Sequence, residues 1–183
     1  MSCNEVRNQN HMRKIALPID EQTIRQLKAG EEVLLSGKVY TARDQAHKRL
    51  VELLKKKKRL PVDLRGKAIY YCGPTKKRPG KVIGSCGPTT SSRMDAFTPT
   101  LLEAGLRMMI GKGNRSKEVI RSIKRHKAVY FLTIGGAGAY LSKRVKKTRT
   151  IAFKDLGPEA IYELEVKDFP AIVWVDSKGK SFL

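Results

Sequence analysis

Two apolar runs of this chain are cut off by the same three residues, Gly-Pro-Thr, once at Cys72-Gly73-Pro74-Thr75 and again at Cys86-Gly87-Pro88-Thr89. Proline has no amide proton to give a central sheet ladder, so each Gly-Pro marks where a strand stops and the chain turns out of the sheet. Strands are therefore predicted at residues 68–72 and 81–86. The loops that follow strand ends are favoured positions for sites in α/β folds. The second loop reads SCGPTTSSRMD, residues 85–95, with the hydroxyls of Thr89, Thr90, Ser91 and Ser92 in a row ahead of Arg93.

The rest of the chain alternates in the same way. Residues 14–19 read as a strand, and Asp20 caps a helix over 21–28 that stops at Gly30. Residues 32–41 are β-rich, and Thr41 is the expected cap of a helix over 43–54 that buries Ala46, Leu50, Leu53 and Leu54. A helix over 98–104 carries Pro99 in its first turn and closes at Gly105, and a short strand follows at 107–110. Residues 111–115 read as a flexible turn, and Ser116 caps a basic helix over 116–125. Residues 128–134 form the clearest buried strand, with later strands at 148–153, 160–166 and 171–175 and a turn at 176–179. This order predicts an α/β fold, doubly layered or β/β/α. At 183 residues one core is expected, as a single domain over residues 14–183 behind a flexible polar leader, residues 1–13.

Charge narrows the partners: 38 Lys+Arg stand against 17 Asp+Glu, a formal net charge of +21, so something anionic is expected to bind. The runs at 55–59 and 143–147 read as solvated helix ends or loops. Cys3, Cys72 and Cys86 show neither CxxC nor Cys/His spacing, which points to a reducing, cytoplasmic compartment without disulfides or a zinc site. No apolar stretch approaches the length of a membrane span, so no membrane partner is expected.

Several motifs resolve into plain packing. The glycines at 135–138 lack the G-x-G-x-x-G spacing and read as a tight strand-to-helix turn. Lys112 has no upstream cradle that would make it a P-loop lysine. His47 and His126 lack partners at metal-binding spacing. What remains is a set of cations and hydroxyls at strand and helix ends, Arg43, Thr89, Thr90, Arg93 and Lys112. Arginine grips carboxylates with two donors and lysine adds a point charge, so the set suits a small dianion as well as it suits capping and exposure.

The segments TARDQAHKR (41–49), CGP (72–74), SCGPTTSSRMD (85–95), GKGN (111–114), GGAG (135–138) and EVKDFPAIVWVDSKG (165–179) together resemble the β subunit of class I fumarases and the related L-tartrate dehydratase. The resemblance runs from about residue 14 to the end, and in single-chain relatives this part is the C-terminal domain. It implies a swivelling β/β/α domain and a hydro-lyase that interconverts fumarate and (S)-malate. It implies a [4Fe–4S] cluster whose cysteine ligands belong to an α subunit, so that this chain binds no metal and is inactive without that partner. It further implies that Arg43, Thr90, Arg93 and Lys112 bind the dicarboxylate, and that Thr89 is the catalytic proton-transfer residue. A hydroxyl is a weak base, so that last role needs neighbouring cations or a proton shuttle. A homodimer or a dimer of α/β pairs is the implied assembly.

Two rivals stay open. The β subunit of an L(+)-tartrate dehydratase, converting tartrate to oxaloacetate, shares these motifs. A basic RNA-binding protein would also use a charge of +21, but the chain has no RRM, KH or zinc pattern, and specific nucleic-acid binding is not expected.

Overall fold

Proline ends and alternating apolar strands lead to one seven-stranded mixed sheet, ordered β1-β2-β3-β4-β5-β7-β6, in a computed structural model that describes residues 12–183. Most of the expected leader, and Cys3 with it, lies outside the described residues, and Arg13 opens the first strand. The strands are β1 (Arg13–Leu17), β2 (Glu32–Thr41), β3 (Ala68–Tyr70), β4 (Met108–Gly111), β5 (Val129–Leu132), β6 (Val145–Ala152) and β7 (Ile161–Val175). The helices are α1 (Glu21–Gln26), α2 (Asp44–Lys55), α3 (Thr98–Glu103), α4 (Lys117–His126) and α5 (Gly138–Ser142).

Strands β1 to β5 pair in parallel, and β7 runs antiparallel to β2, β5 and β6. Because β7 is 15 residues long, it pairs with β2 from Glu163 to Ile172 and with β5 from Ile172 to Val175. The pairings β2–β3–β4–β5–β7–β2 thus return to their start and leave these strands no free edge.

Period-2 alternation then divides the core. Ala68, Tyr70 and Cys72, with Met108, Ile110, Val129 and Phe131, point into a cluster shared with Val33, Leu35, Phe169 and Val173. The intervening Ile69, Tyr71, Met109 and Tyr130 meet Ala46 and Leu50 of α2, Leu101 and Leu102 of α3, and Val119 and Ile123 of α4. Strands with both faces covered read as continuous apolar runs, which is why they were legible.

Several expected elements change. Residues 81–86 form no strand. Thr75 clips the loop instead, donating its N–H to the Ser85 carbonyl at 3.0 Å and accepting from Ser85 N at 2.9 Å through Oγ1. Gly80 turns the loop at φ +71, and Ile83 and Cys86 enter the core from it. The expected strands at 160–166 and 171–175 are one strand, β7, because Asp168 bends it at φ +49 while its N–H keeps a partner in Ser36 Oγ at 2.9 Å. Helix α1 ends at Gln26, and Leu27 leaves it in an extended conformation that buries its side chain. Thr41 is not the cap of α2: the cap position is Arg43, with no side-chain bond, and Thr41 Oγ1 instead donates to the Ala160 carbonyl and accepts from Tyr162 N. In α2 the buried residues are Ala46, His47, Leu50 and Val51, while Leu53 and Leu54 are half-buried. Asp20 and Ser116 cap α1 and α4 as expected.

One backbone contact sets the spacing at the strand ends. A Cβ on Gly111, at the end of β4, would collide with Ser91 Oγ and lie 2.8 Å from the Tyr71 ring, both fully buried. Gly111→Ala is expected to destabilise the domain by about 1–3 kcal/mol, the cost of overpacking a rigid site. An unchanged urea midpoint would show that the ends of β3 and β4 tolerate separation.

Candidate functional site

Strands β2, β3 and β4 end on one side of the sheet, and the chain crosses that side three times. After β2 come Ala42, whose N–H reaches the Tyr70 carbonyl at 3.1 Å, and then Arg43. After β3 come Cys72 and Gly73, where an added Cβ would lie 2.9 Å from Arg43 Cδ, so the glycine makes room for that side chain. The hydroxyl run then folds back over both. Thr89 N donates to the Tyr71 carbonyl at 2.6 Å, and Ser91 N to the Lys112 carbonyl at 2.9 Å, while Thr90 and Lys112 form a parallel bridge. Tertiary pairing therefore brings Arg43, Thr89, Thr90, Arg93 and Lys112 to one sheet edge from three separate segments.

The four hydroxyls have separate environments. Residues Ser91–Met94 form a 3₁₀ turn whose cap position, Thr90, makes no side-chain cap bond, so the run does not serve as helix caps. Ser91 is fully buried, and its Oγ accepts from Lys112 N at 3.1 Å. The Tyr130 hydroxyl lies 2.9 Å from Ser91 Oγ and 2.8 Å from the Gly113 carbonyl. With one proton to give, the phenol donates to the carbonyl, and Ser91 donates to the phenol. Ser91 is thus a fixed part of the frame. Thr90 and Ser92 are exposed and Thr89 is half-buried, and among the described residues no hydrogen bond engages the Thr89 or Thr90 hydroxyl.

Both arginines meet one carboxylate. Arg93 Nε donates to Asp44 Oδ1 at 2.9 Å, and Arg43 Nη2 lies 3.8 Å from Asp44 Oδ2 and 3.7 Å from Glu159 Oε1. The Arg93 side chain is 52% exposed, that of Arg43 24%. Four surface hollows of between about 240 and 740 Å³ are lined by other residues. Arg93 and Thr90 occupy an open face, with the half-buried Arg43 beside it and the half-buried Lys112 bridged to Thr90 at its edge.

Beneath that face lies a cation that sequence reasoning put in a flexible turn. Arg115 has a side chain with no exposure, and its Nε donates to Asp95 Oδ1 at 2.7 Å, Nη2 to Thr98 Oγ1 at 2.7 Å and Nη1 to the Tyr71 hydroxyl at 3.1 Å. Its guanidinium also lies 5.3 Å from the Tyr71 ring centroid and 5.0 Å from that of Tyr130. Asp95 Oδ2 accepts from Ser116 N at 2.7 Å, so both carboxylate oxygens are engaged. Glycines on either side made 111–115 look mobile, and only the folded sheet reveals the partners.

His47, on α2, is fully buried against Tyr71 and Phe97. Its Nδ1 lies 2.9 Å from the Arg43 carbonyl, and its Nε2 is buried without a partner. Burial holds its pKa down at about 4, so the ring is neutral near pH 7.

Among the described residues, no three His, Cys, Asp or Glu side chains gather as a metal site. The Sγ atoms of Cys72 and Cys86 lie 3.0 Å apart and wholly buried. The hydrogen bond that the Cys72 thiol shares with Cys86, and burial, both raise the Cys72 thiol well above its ordinary value, which opposes the thiolate form that ligation requires. These residues do not fit an iron–sulfur cluster. The glycines at 135–138 do form the expected tight turn: Gly136 has φ +77, and a Cβ on Gly138, where α5 starts, would lie 2.9 Å from Gly87 N.

Comparison with known proteins matches residues 2–183 to the family described as fumarase C-terminus. The chain is 40% identical over 166 residues to fumarate hydratase 2 of Leishmania major, covering 88% of this chain and 29% of that protein. It is 42% identical over 150 residues to the anaerobic class I fumarate hydratase of Escherichia coli, covering 81% and 27%. It is 40% identical over 169 residues to a putative L(+)-tartrate dehydratase subunit beta of Methanocaldococcus jannaschii, covering 89% and 87%. The chain thus spans under a third of those fumarate hydratases and most of the beta subunit.

Two outcomes test this geometry by stability. Arg115→Met would leave the Asp95 carboxylate without its ion-pair partner, and a loss of about 3–5 kcal/mol is expected in urea unfolding; a loss below about 1 kcal/mol would mean that Asp95 finds another partner. His47 titrates near 6.5 when unfolded and about 4 when folded. The unfolded chain therefore binds the extra proton, and stability present above pH 6.5 is lost as pH falls towards 4, by about 3 kcal/mol in full. His47→Gln should flatten that part of the stability–pH curve, and an unchanged slope would assign it to other groups.

Proposed function

The chain belongs to the fumarase C-terminus family, and from that footing we propose that it is the β subunit of a heteromeric class I fumarate hydratase, a hydro-lyase that reversibly hydrates fumarate to (S)-malate. In this reading residues 14–183 are a single swivelling β/β/α domain that moves against an α subunit. The [4Fe–4S] cluster that the family resemblance implies resides on that partner. The enzyme is cytoplasmic and assembles as a dimer of α/β pairs. No helix among the described residues is long and apolar enough to cross a membrane.

What supports the reading is the open cationic face at the ends of β2, β3 and β4. Arg43, Arg93 and Lys112 bring three cations to one edge, and although Asp44 and Glu159 lie beside the two arginines, the terminal amino groups of Arg93 make no hydrogen bond among the described residues and are open to a substrate carboxylate. A face open to solvent leaves the developing charge of a proton transfer in high dielectric, so it needs a second wall to exclude water. The relative named as a subunit beta, matched over 87% of its length, supports placing that wall on a partner polypeptide.

The roles divide by chemistry. Arg43, Arg93 and Lys112 bind and orient the carboxylates, with Thr90 at the rim. Thr89 moves the C3 proton. No hydrogen bond engages its hydroxyl among the described residues, and a cation of this face brought against it in the assembled site would favour its anion. Ser91 is too deeply engaged to serve, since its Oγ already has two partners.

A second reading within the same reaction class rests on the relative named as a tartrate dehydratase subunit, matched over 87% of its length. Reconstitution with the α chain under anaerobic conditions, followed by malate formation from fumarate and oxaloacetate formation from tartrate, separates the two. Turnover of neither diacid would remove the hydro-lyase reading and leave charge-driven binding of another anion.

In the active complex, Arg93→Ala is expected to lower kcat/KM by about 10–100-fold, the worth of a charge-assisted grip, with an unchanged melting temperature. Thr89→Ala should lower kcat by about 100-fold or more while KM moves little, as befits a group used in the transition state. Loss of the same size in Thr90→Ala with Thr89→Ala near normal would move the proton transfer by one residue.

A further inference from the structure

The carboxylate between the two arginines was not assigned a role by the sequence. Asp44 stands at the first position of α2, where an acidic residue is favoured by the free amides of the helix start. Its surroundings ask for more than that. Its Oδ1 accepts from Arg93 Nε at 2.9 Å, across 49 residues of chain. Its Oδ2 is buried without a hydrogen-bond partner, as is Arg43 Nε beside it. A buried charge left incompletely paired at a helix start contributes little to stability by itself.

The consequence for Arg93 is geometric. Guanidinium has two edges that can grip a carboxylate, one made by Nε with a terminal amino group and one made by the two terminal amino groups. Asp44 occupies the first through Nε. The terminal pair makes no hydrogen bond among the described residues, and the side chain is 52% exposed. The same carboxylate lies 3.8 Å from Arg43, and Glu159 lies 3.7 Å from that arginine on its other side. Glu159 is itself tied to the start of α2, accepting from Gln45 N at 2.8 Å. Two guanidinium groups that would repel one another are thereby kept together before any anion arrives.

We propose that Asp44 is a positioning residue for substrate, holding Arg93 by Nε so that its terminal amino pair is preoriented towards an incoming carboxylate and Arg43 stays alongside. The inference rests on the dicarboxylate reading above and deepens it. It differs from a purely structural role, under which Asp44 only caps α2, and from a competitive role, under which Asp44 is displaced from Arg93 by substrate.

Two measurements decide. In the reconstituted α/β complex, Asp44→Ala is expected to raise KM for the diacid about tenfold or more, while kcat falls less than about threefold. Asp44→Asn, which keeps an acceptor for Nε, should recover part of that loss. A KM that falls would mean Asp44 competes with substrate, and an unchanged KM with a lower melting temperature would leave only the structural role; either overturns the proposal. Independently of turnover, the Arg93 Nε–H resonance of the ¹⁵N-labelled full chain, assigned with Arg93→Lys, should exchange slowly in the wild type and rapidly in Asp44→Ala. Equal exchange in both would overturn the proposal even in an active enzyme. If the wild-type complex turns over neither diacid while the exchange difference holds, the functional reading fails and the positioning of Arg93 for another carboxylate-bearing ligand stands.

Discussion

A strand long enough to serve two partners is the constraint on which this domain depends. β7 pairs with β2 along most of its length and with β5 at its end, so the sheet closes. Without that closure β2 and β5 would each present an open ladder, and Val33, Leu35, Phe131 and Val173 would lose the enclosure that keeps them fully buried. Closure also leaves the parallel strands with their C-terminal ends on one side, and that edge receives the candidate site. The bend at Asp168 and the irregular register opposite Leu35 and Gly37 are the local adjustments by which one strand follows the curve.

Charge inside this frame is used in two ways. Arg115 is buried and fully engaged, bonded to Asp95, Thr98 and Tyr71 with aromatic rings nearby, so it holds the hydroxyl turn against the end of β4. Arg43 and Arg93 lie above it at the surface, tied by long or single contacts to Asp44 and Glu159, with donors to spare. Arginine supports both, because its charge persists when buried and its planar fork satisfies several acceptors at once. The distinction between a structural and a ligand-ready guanidinium is made by the number of its donors already engaged.

The alternation of strands and helices was legible because both faces of the central strands are apolar, and because Asp20 and Ser116 cap α1 and α4 and Gly105 follows the end of α3. Residues 81–86 looked like a strand because their apolar content is that of one; the Thr75 clip, made across ten residues, decides otherwise. Thr41 looked like a helix cap because it stands where caps stand, yet its hydroxyl bonds a segment about 120 residues away. Those outcomes turn on long-range partners that local pattern does not carry.

By itself the sequence determined the family through ordered motifs and the class of fold through alternation, and it singled out arginine, lysine and hydroxyl residues at strand ends as candidates for an anionic ligand. Only the tertiary structure decided which of the four hydroxyls are free, that Ser91 and Arg115 belong to the frame, and that Asp44 joins Arg43 to Arg93. Propensity and hydrophobic period act over a few residues, whereas hydrogen-bond satisfaction in a buried site depends on groups brought together from β2, β3 and β4 by the closing of the sheet.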